Sequence, residues 1–326
     1  MEKNLQAEGT DRKFARVVVT GGAGFLGAHL CSMLVKSGVN VVCIDNFVTG
    51  SRENVRPLLA DPAFSLIEAD VSDAFTVPGP VDLVLHLACP ASPPDYFRYP
   101  IETLRVGSQG TFNALTLAVE KKARFVLAST SEVYGDPLEH PQNEDYWGHV
   151  NPVGSRAIYD EAKRFSEALT TAFRAHRGLN TGIVRIFNTF GPGMRADDGR
   201  VIPNFINQAL AGAPLTVMGD GSQTRSFCYV QDTVHGILAM ASSEEQGPVN
   251  IGNPDEVTIA EIAQRICQLV GSSSPVDFIE RYPDDPERRR PDISRAQLLL
   301  NWSPQFSRDD GLKRTIAWFA DGADGA

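Results

Sequence analysis

Short apolar runs alternate with longer stretches of helical spacing through the first half of the chain. Val17–Val19 comes first, followed by a glycine-rich turn and an amphipathic stretch from Leu26 to Lys36. Val39–Ile44, Phe64–Ile67, Val81–Leu87, Arg124–Ala128 and Gly182–Phe187 are further apolar runs, and helical patterns cover Ile101–Lys122 and Ile158–His176. The runs do not alternate strictly between apolar and polar, which suits strands buried on both faces. Strands separated by helices predict an α/β protein with a doubly wound parallel sheet and right-handed crossovers. After Asn188 the rhythm breaks: Pro192, Gly193, Gly199, Pro203, Pro214, Gly219 and Gly221 punctuate shorter elements. The expectation is one sheet domain over residues 14–190 and a smaller, mixed C-terminal lobe over 191–322, with elements free to interleave. Ligands of open α/β sheets bind at the carboxyl ends of the strands, so the second lobe is expected to close over that edge.

Composition narrows the function more than the fold. The chain has 326 residues, 42% hydrophobic and 21% charged, enough for one large unit or two intimately joined ones. A formal net charge of −10 argues against a general nucleic-acid or membrane-surface role, because those partners are themselves anionic. The tight basic run Arg288–Arg290 reads, on composition alone, as a solvated turn. The five cysteines are Cys31, Cys43, Cys89, Cys228 and Cys267. They are widely spaced with no CxxC pair, which predicts reduced thiols rather than a disulfide framework or zinc site. The histidines show no metal-ligand spacing, and no metal is expected. The polar first twelve residues, Met1–Arg12, lack a signal-peptide core, and no apolar run approaches the roughly 18 residues that span a bilayer. A cytoplasmic location is the default, without a membrane partner.

Gly21-Gly22-Ala23-Gly24-Phe25-Leu26-Gly27 directly follows the first strand and opens a helix. This GxxGxxG loop lets the backbone approach a pyrophosphate at Gly21 and Gly24. The helix N-terminus there presents free N–H groups and partial positive charge, and Gly27 lets helix and strand pack closely. Asp45 ends the second strand, 18 residues after Gly27. An acid there accepts from both adenosine ribose hydroxyls and would repel a 2′-phosphate, favouring NAD over NADP. Phe25, Leu26, Asn46, Leu87 and Ala88 complete the expected cofactor contacts, with Asp70 and Val71 flanking adenine. The sheet domain is therefore expected to be of Rossmann type.

Tyr159 and Lys163 stand four residues apart in a helical pattern, on one face. A nearby ammonium stabilises a phenolate, so a lowered tyrosine pKa and a general base for a sugar hydroxyl are expected. Thr130, at the end of a buried strand, can hydrogen-bond the same hydroxyl.

Together, the Gly21–Gly27 loop, Thr130, Tyr159 and Lys163 resemble the extended short-chain dehydrogenase/reductase superfamily of nucleotide-sugar epimerases and dehydratases. Four further stretches resemble the UDP-glucuronate decarboxylase (UDP-xylose synthase) family: Ala88–Tyr96, Ala128–Pro137, Glu144–Pro152 and Gly219–Phe227. The resemblance covers roughly residues 15–320. It implies tightly bound NAD and a redox-neutral cycle. The sugar C4 hydroxyl is oxidised, carbon dioxide leaves the 4-keto acid, C5 is protonated and C4 is reduced again. Thr130, Glu132, Tyr159 and Lys163 are the implied catalytic residues. Ala91, Ser92, Tyr96, Ser131, Glu132, Asn188, Val201, Asn204, Gln223, Arg225 and Arg289 are the implied substrate contacts, with Asn188, Arg225 and Arg289 facing the diphosphate. The C-terminal lobe is then a nucleotide-sugar lobe. A 4,6-dehydratase needs a carboxylic acid beside the threonine, and here that neighbour is Ser131, which is neutral and can bond a substrate carboxylate. A 4-epimerase, a 4,6-dehydratase and a non-catalytic NAD-binding protein remain the alternatives. Two departures from the family pattern stand out: Gly107 lies near a place where an asparagine is common, and Gly154–Tyr159 differs from the usual wording. The two long helices resemble those that pair subunits in this superfamily, so a homodimer is expected.

Overall fold

The apolar runs become six parallel strands: β1 (Arg16–Thr20), β2 (Asn40–Asp45), β3 (Phe64–Glu68), β4 (Leu83–His86), β5 (Arg124–Thr130) and β6 (Thr181–Ile186). They lie in the order β6-β5-β4-β1-β2-β3, and a seventh strand, Val249–Ile251, pairs in parallel with β6 at the edge. The computed structural model describes residues 14–281 and 286–323. Every position of β4 and β5 is buried. Successive side chains feed opposite faces: Val17 and Val19 enter one core cluster while Val18 enters the other. This is the doubly wound, Rossmann-type sheet that the non-alternating runs imply.

Helices cover both faces. They are α1 (Phe25–Lys36), the short α2 (Arg52–Val55), α3 (Pro93–Arg98), α4 (Pro100–Arg105), α5 (Thr111–Lys121) and α6 (Ala157–Arg177). The single helix expected over Ile101–Lys122 is divided: Val106–Gly110 forms a π-turn between α4 and α5. Gly107 accounts for the position of this turn. A Cβ there would meet the Ala162 Cβ at 2.6 Å and its carbonyl oxygen at 2.8 Å. Only a bare backbone lets the π-turn touch α6, and Ser166 Oγ donates to Gly107 O at 2.8 Å across the contact. The glycine that departs from the family pattern is therefore a packing residue for the helix carrying Tyr159.

Beyond β6 the chain builds the smaller lobe from α7 (Val201–Leu210), α8 (Val230–Ser242), α9 (Ile259–Val270) and short strands. Leu215–Met218 pairs in parallel with Val276–Ile279. Thr224–Ser226 lies between Glu256–Thr258 and Arg288–Arg289. A capping box, Thr258 with Glu261, starts α9. The chain also returns to the main sheet, because Val249–Ile251 extends it and α8 packs against α1 and β6. No helix among the described residues is long and apolar enough to cross a membrane.

Gly107→Ala should push the π-turn away from α6. The expected cost is about 1–3 kcal/mol, as for other overpacked contacts, read as a lower denaturation midpoint with unchanged slope.

Candidate active site

The carboxyl ends of β1, β2, β4 and β5 converge on one cavity of about 410 Å³, closed from the other side by the smaller lobe. Every predicted site residue lines it: Gly21, Gly24, Phe25, Leu26, Gly27, Asp45, Asn46, Asp70, Val71, Leu87 and Ala88 toward one end. Ala91, Ser92, Tyr96, Thr130, Ser131, Glu132, Tyr159, Lys163, Asn188, Val201, Asn204, Gln223, Arg225 and Arg289 line the remainder.

The loop after β1 is backbone packed on backbone. Gly21 has φ +69°, and a Cβ there would lie 2.7 Å from Ala88 N; at Gly27 one would lie 2.1 Å from Gly21 O. The first turn of α1 carries no acid and no capping side chain, so its N–H groups face the cavity without an internal anion. Asp45 accepts from Ala23 N at 2.9 Å and Phe47 N at 2.8 Å. Burial raises its pKa while those amides oppose the rise. These features fit a dinucleotide: donors for a pyrophosphate and, on Asp45, acceptor capacity for a ribose diol.

Tyr159 and Lys163 are both buried on α6. Lys163 Nζ donates to Ala128 O at 2.9 Å and stands 5.9 Å from the Tyr159 ring centre. The Tyr159 hydroxyl is hydrogen-bonded to Thr130. Contrary to the expectation of a lowered value, its pKa is well above the ordinary one. Burial outweighs every other influence, the neighbouring Cys89 thiol and the Glu132 carboxylate add to it, and Thr130 and Arg200 only oppose it. The Tyr96 ring stacks on Tyr159 at 5.5 Å, with planes 5° apart, so Tyr96 fixes the orientation of the phenol.

Glu132 has two guanidinium partners. Arg156 Nη2 donates to its Oε2 at 2.7 Å, and Arg289 Nη1 donates to Oε1. Burial pushes the Glu132 pKa up, but Arg289 and Arg156 together overcome this and hold it far below the usual carboxylate range. Asp160 beside them goes the other way: burial, joined by the Glu132 charge, pushes it up to about 8. The basic run is not a solvated turn. Arg288–Arg289 is a strand in parallel register with Thr224–Arg225, which sets Arg225 and Arg289 side by side, both buried.

Sequence reasoning missed Arg156, Asp160, Arg200, Cys89 and His86. Arg156 stands one helical turn before Tyr159, a spacing that could have flagged it. His86 offered no sequence signal. It is fully buried, bonded at Nδ1 to Thr20 Oγ1 (2.7 Å) and at Nε2 to Thr111 Oγ1 (3.2 Å). Thr111 reaches Ser166 on α6 at 3.0 Å. This chain of polar groups ties β1 and β4 to the helix carrying Tyr159.

The NAD dependent epimerase/dehydratase family model matches residues 17–252. The chain belongs to that family. UDP-glucuronic acid decarboxylase 1 of Danio rerio is 51% identical over 310 residues, covering 95% of this chain and 73% of that protein. UDP-glucuronic acid decarboxylase 1 of Arabidopsis thaliana is 49% identical over 311 residues, covering 95% and 71%. Among solved structures, UDP-glucuronic acid 4-epimerase from Bacillus cereus, in complex with UDP-glucuronic acid and NAD, superposes with TM-score 0.83. It shares 29% identity over 94% of this chain and 99% of that one. Family membership agrees with the Rossmann-type sheet and with the Thr130, Tyr159 and Lys163 arrangement.

Burial, helped by the Lys163 charge, depresses the His86 pKa to about 3, so the folded protein keeps this ring neutral. The unfolded chain protonates it below about 6.5. Its contribution to stability is complete above 6.5 and is lost as pH falls from there toward 3. At pH 5 the loss should be about 2 kcal/mol. His86→Gln should therefore melt lower at pH 8 yet show a smaller further drop at pH 5, read by thermal unfolding at both values.

Proposed function

We propose that the chain decarboxylates UDP-glucuronic acid to UDP-xylose in a redox-neutral cycle. The observation that carries this reading is the side of the cavity facing Tyr159. A buried neutral hydroxyl, Ser131, stands where a dehydratase needs an acid, and the next residue, Glu132, is paired with Arg156 and Arg289. That arrangement suits a sugar bearing a carboxylate, and the relatives near 50% identity are named for this activity.

NAD+, held by the glycine loop and Asp45, would supply the acceptor for the hydride leaving C4 and the donor for its return. Thr130 aligns the C4 hydroxyl and Tyr159 takes its proton. The raised phenol pKa means that the phenolate forms only once positive charge enters the site, and the Lys163 ammonium, 5.9 Å from the ring centre, adds to that charge. With C4 a ketone, the sugar is a β-keto acid. Carbon dioxide leaves as the C4 oxygen takes the electron pair, and hydrogen bonds from Tyr159 and Thr130 stabilise that oxyanion. A proton adds at C5, and Tyr159 returns its proton as C4 is reduced. Glu132, held ionised, orders Arg156 toward the sugar carboxylate and, through its bond to Arg289, orients that guanidinium toward the diphosphate. A proton that it passes to C5 has to be collected from water during turnover. Asn188 and Arg225 bind the diphosphate. Val201 and Asn204, on the first turn of α7, and Gln223 hold uridine and ribose. On this reading residues 14–190 are the NAD-binding domain and 191–322 mainly the nucleotide-sugar lobe. The five cysteines are all free, which suits a cytoplasmic enzyme.

The outer face of α3–α6 leaves Phe97, Ile101, Leu104, Phe112 and Phe165 exposed, Ile101 by 69%. This apolar face supports a homodimer through α4, α5 and α6. Charging it with Ile101→Asp and Phe165→Glu should convert dimer to monomer by light scattering; an unchanged mass would exclude this face as the interface.

Incubation with UDP-glucuronic acid and NAD+, followed by mass spectrometry, should give a UDP-pentose with no net NADH. Tyr159→Phe should lower the rate about 10²–10⁴-fold. An unchanged substrate mass would defeat the decarboxylase reading.

A further inference from the structure

The segment 192–200 contributes Gly193, Met194, Arg195, Asp198, Gly199 and Arg200 to the cavity lining and is pinned at both ends. His29 Nε2 on α1 donates to Pro192 O at 2.8 Å, and Gly193 sits beside the His29 and Phe25 rings. At the other end Gly199 packs on Pro94 so closely that a Cβ would lie 2.4 Å from its Cγ. Between these anchors Arg195 Nε donates to the neighbouring Asp197 at 3.2 Å, and its two terminal nitrogens reach in two further directions. Its Nη1 donates to Thr49 O at 3.1 Å, on the loop after β2. Its Nη2 donates to both oxygens of Asp95 at 2.8 and 3.0 Å, on α3 after β4. Asp95 also accepts from Ser92 Oγ at 2.7 Å.

These contacts complete a ring. The loop holding Thr49 is tied to the glycine loop, because Ser51 N and Asn54 Nδ2 both donate to Ala23 O, at 3.0 and 2.9 Å. The glycine loop is packed on Ala88, at the start of the segment that leads to Ser92 and Asp95. In the strand order β4-β1-β2, a dinucleotide lying over the glycine loop passes between the β2 loop and the β4 loop. The Thr49–Arg195–Asp95 bridge joins those same two loops, and all three residues line the cavity.

We propose that Arg195 is a positioning residue that closes this ring over the dinucleotide and retains it between its two hydride transfers. The proposal rests on the reading above for the identity of the cycle, but not for the retention itself. A redox-neutral cycle needs such retention. If the cofactor left after the first transfer, it would leave as NADH, and the sugar would be released as UDP-4-keto-pentose with one carbon dioxide, one to one. A guanidinium suits the position because its fork donates to a carboxylate and a carbonyl at once, which an ammonium cannot do with the same geometry.

The test is cofactor retention. Protein loaded with NAD+ is freed of excess by gel filtration, and bound NAD is followed with time after acid release. Arg195→Met should lose cofactor about tenfold faster, and Asp95→Asn should change it in the same direction. Unmodified protein should also release NAD faster at molar salt, since the bridge is partly exposed and screened. During turnover with UDP-glucuronic acid, Arg195→Met should leak NADH and keto-sugar in equal amounts. Release within twofold of the parent in the folded variants overturns the proposal. If neither variant folds, salt-independent release from the parent does so. A parent that makes no carbon dioxide, with Arg195→Met still losing NAD faster, defeats the decarboxylase reading and leaves the ring standing.

Discussion

The site depends on one constraint: backbone must touch backbone where the strands end. The glycine loop lies directly against Ala88 and against its own Gly27, at separations that no side chain tolerates. That crowding puts the N–H groups of α1 at the cavity floor and fixes where β2 and β4 can send their loops. The same device recurs at Gly107, where the π-turn meets Ala162 and sets how far α6 stands from the sheet. The depth at which Tyr159 and Lys163 sit therefore depends on the bare backbone contact at Gly107.

Burial then sets the charge states. His86 stays neutral beneath Lys163, and Tyr159 keeps its proton until positive charge arrives. Glu132 remains firmly ionised, because two guanidiniums follow it into the interior. Breaking such a buried arrangement by removing one partner leaves an uncompensated charge, which costs far more than the intact cluster contributes. Asp160, whose burial the same two guanidiniums only partly offset, shows the contrast.

Much of this was legible in the chain. Apolar runs without alternation announced buried parallel strands, and the glycine spacing and Tyr-x-x-x-Lys marked the cavity because both depend on local geometry. Residues whose roles arise from long-range packing were not legible. Composition alone made Arg289 part of a solvated run, and only the family resemblance singled it out; strand pairing with Thr224–Arg225 is what carries it inward. The direction of the Tyr159 shift was misjudged because spacing reports the ammonium but not the depth of burial. His86, Arg195 and Asp95 bond to partners distant in sequence, so no window along the chain could reveal them. The division of the long helix at Val106–Gly110 depends on the facing Ala162, which is equally invisible locally.

The short strand Val249–Ile251 carries a wider consequence. It comes from the later part of the chain yet supplies the outer rail of the main sheet, and a single apolar cluster runs from Val17 through Ile251 to Ile266. The two lobes are sewn together rather than hinged on a tether. A chain ending near residue 190 would leave the hydrogen-bonding edge of β6 open, an invitation to pair with other chains. New sugar specificities on this scaffold are thus more readily reached by rewriting loops at the cavity than by exchanging one lobe for another.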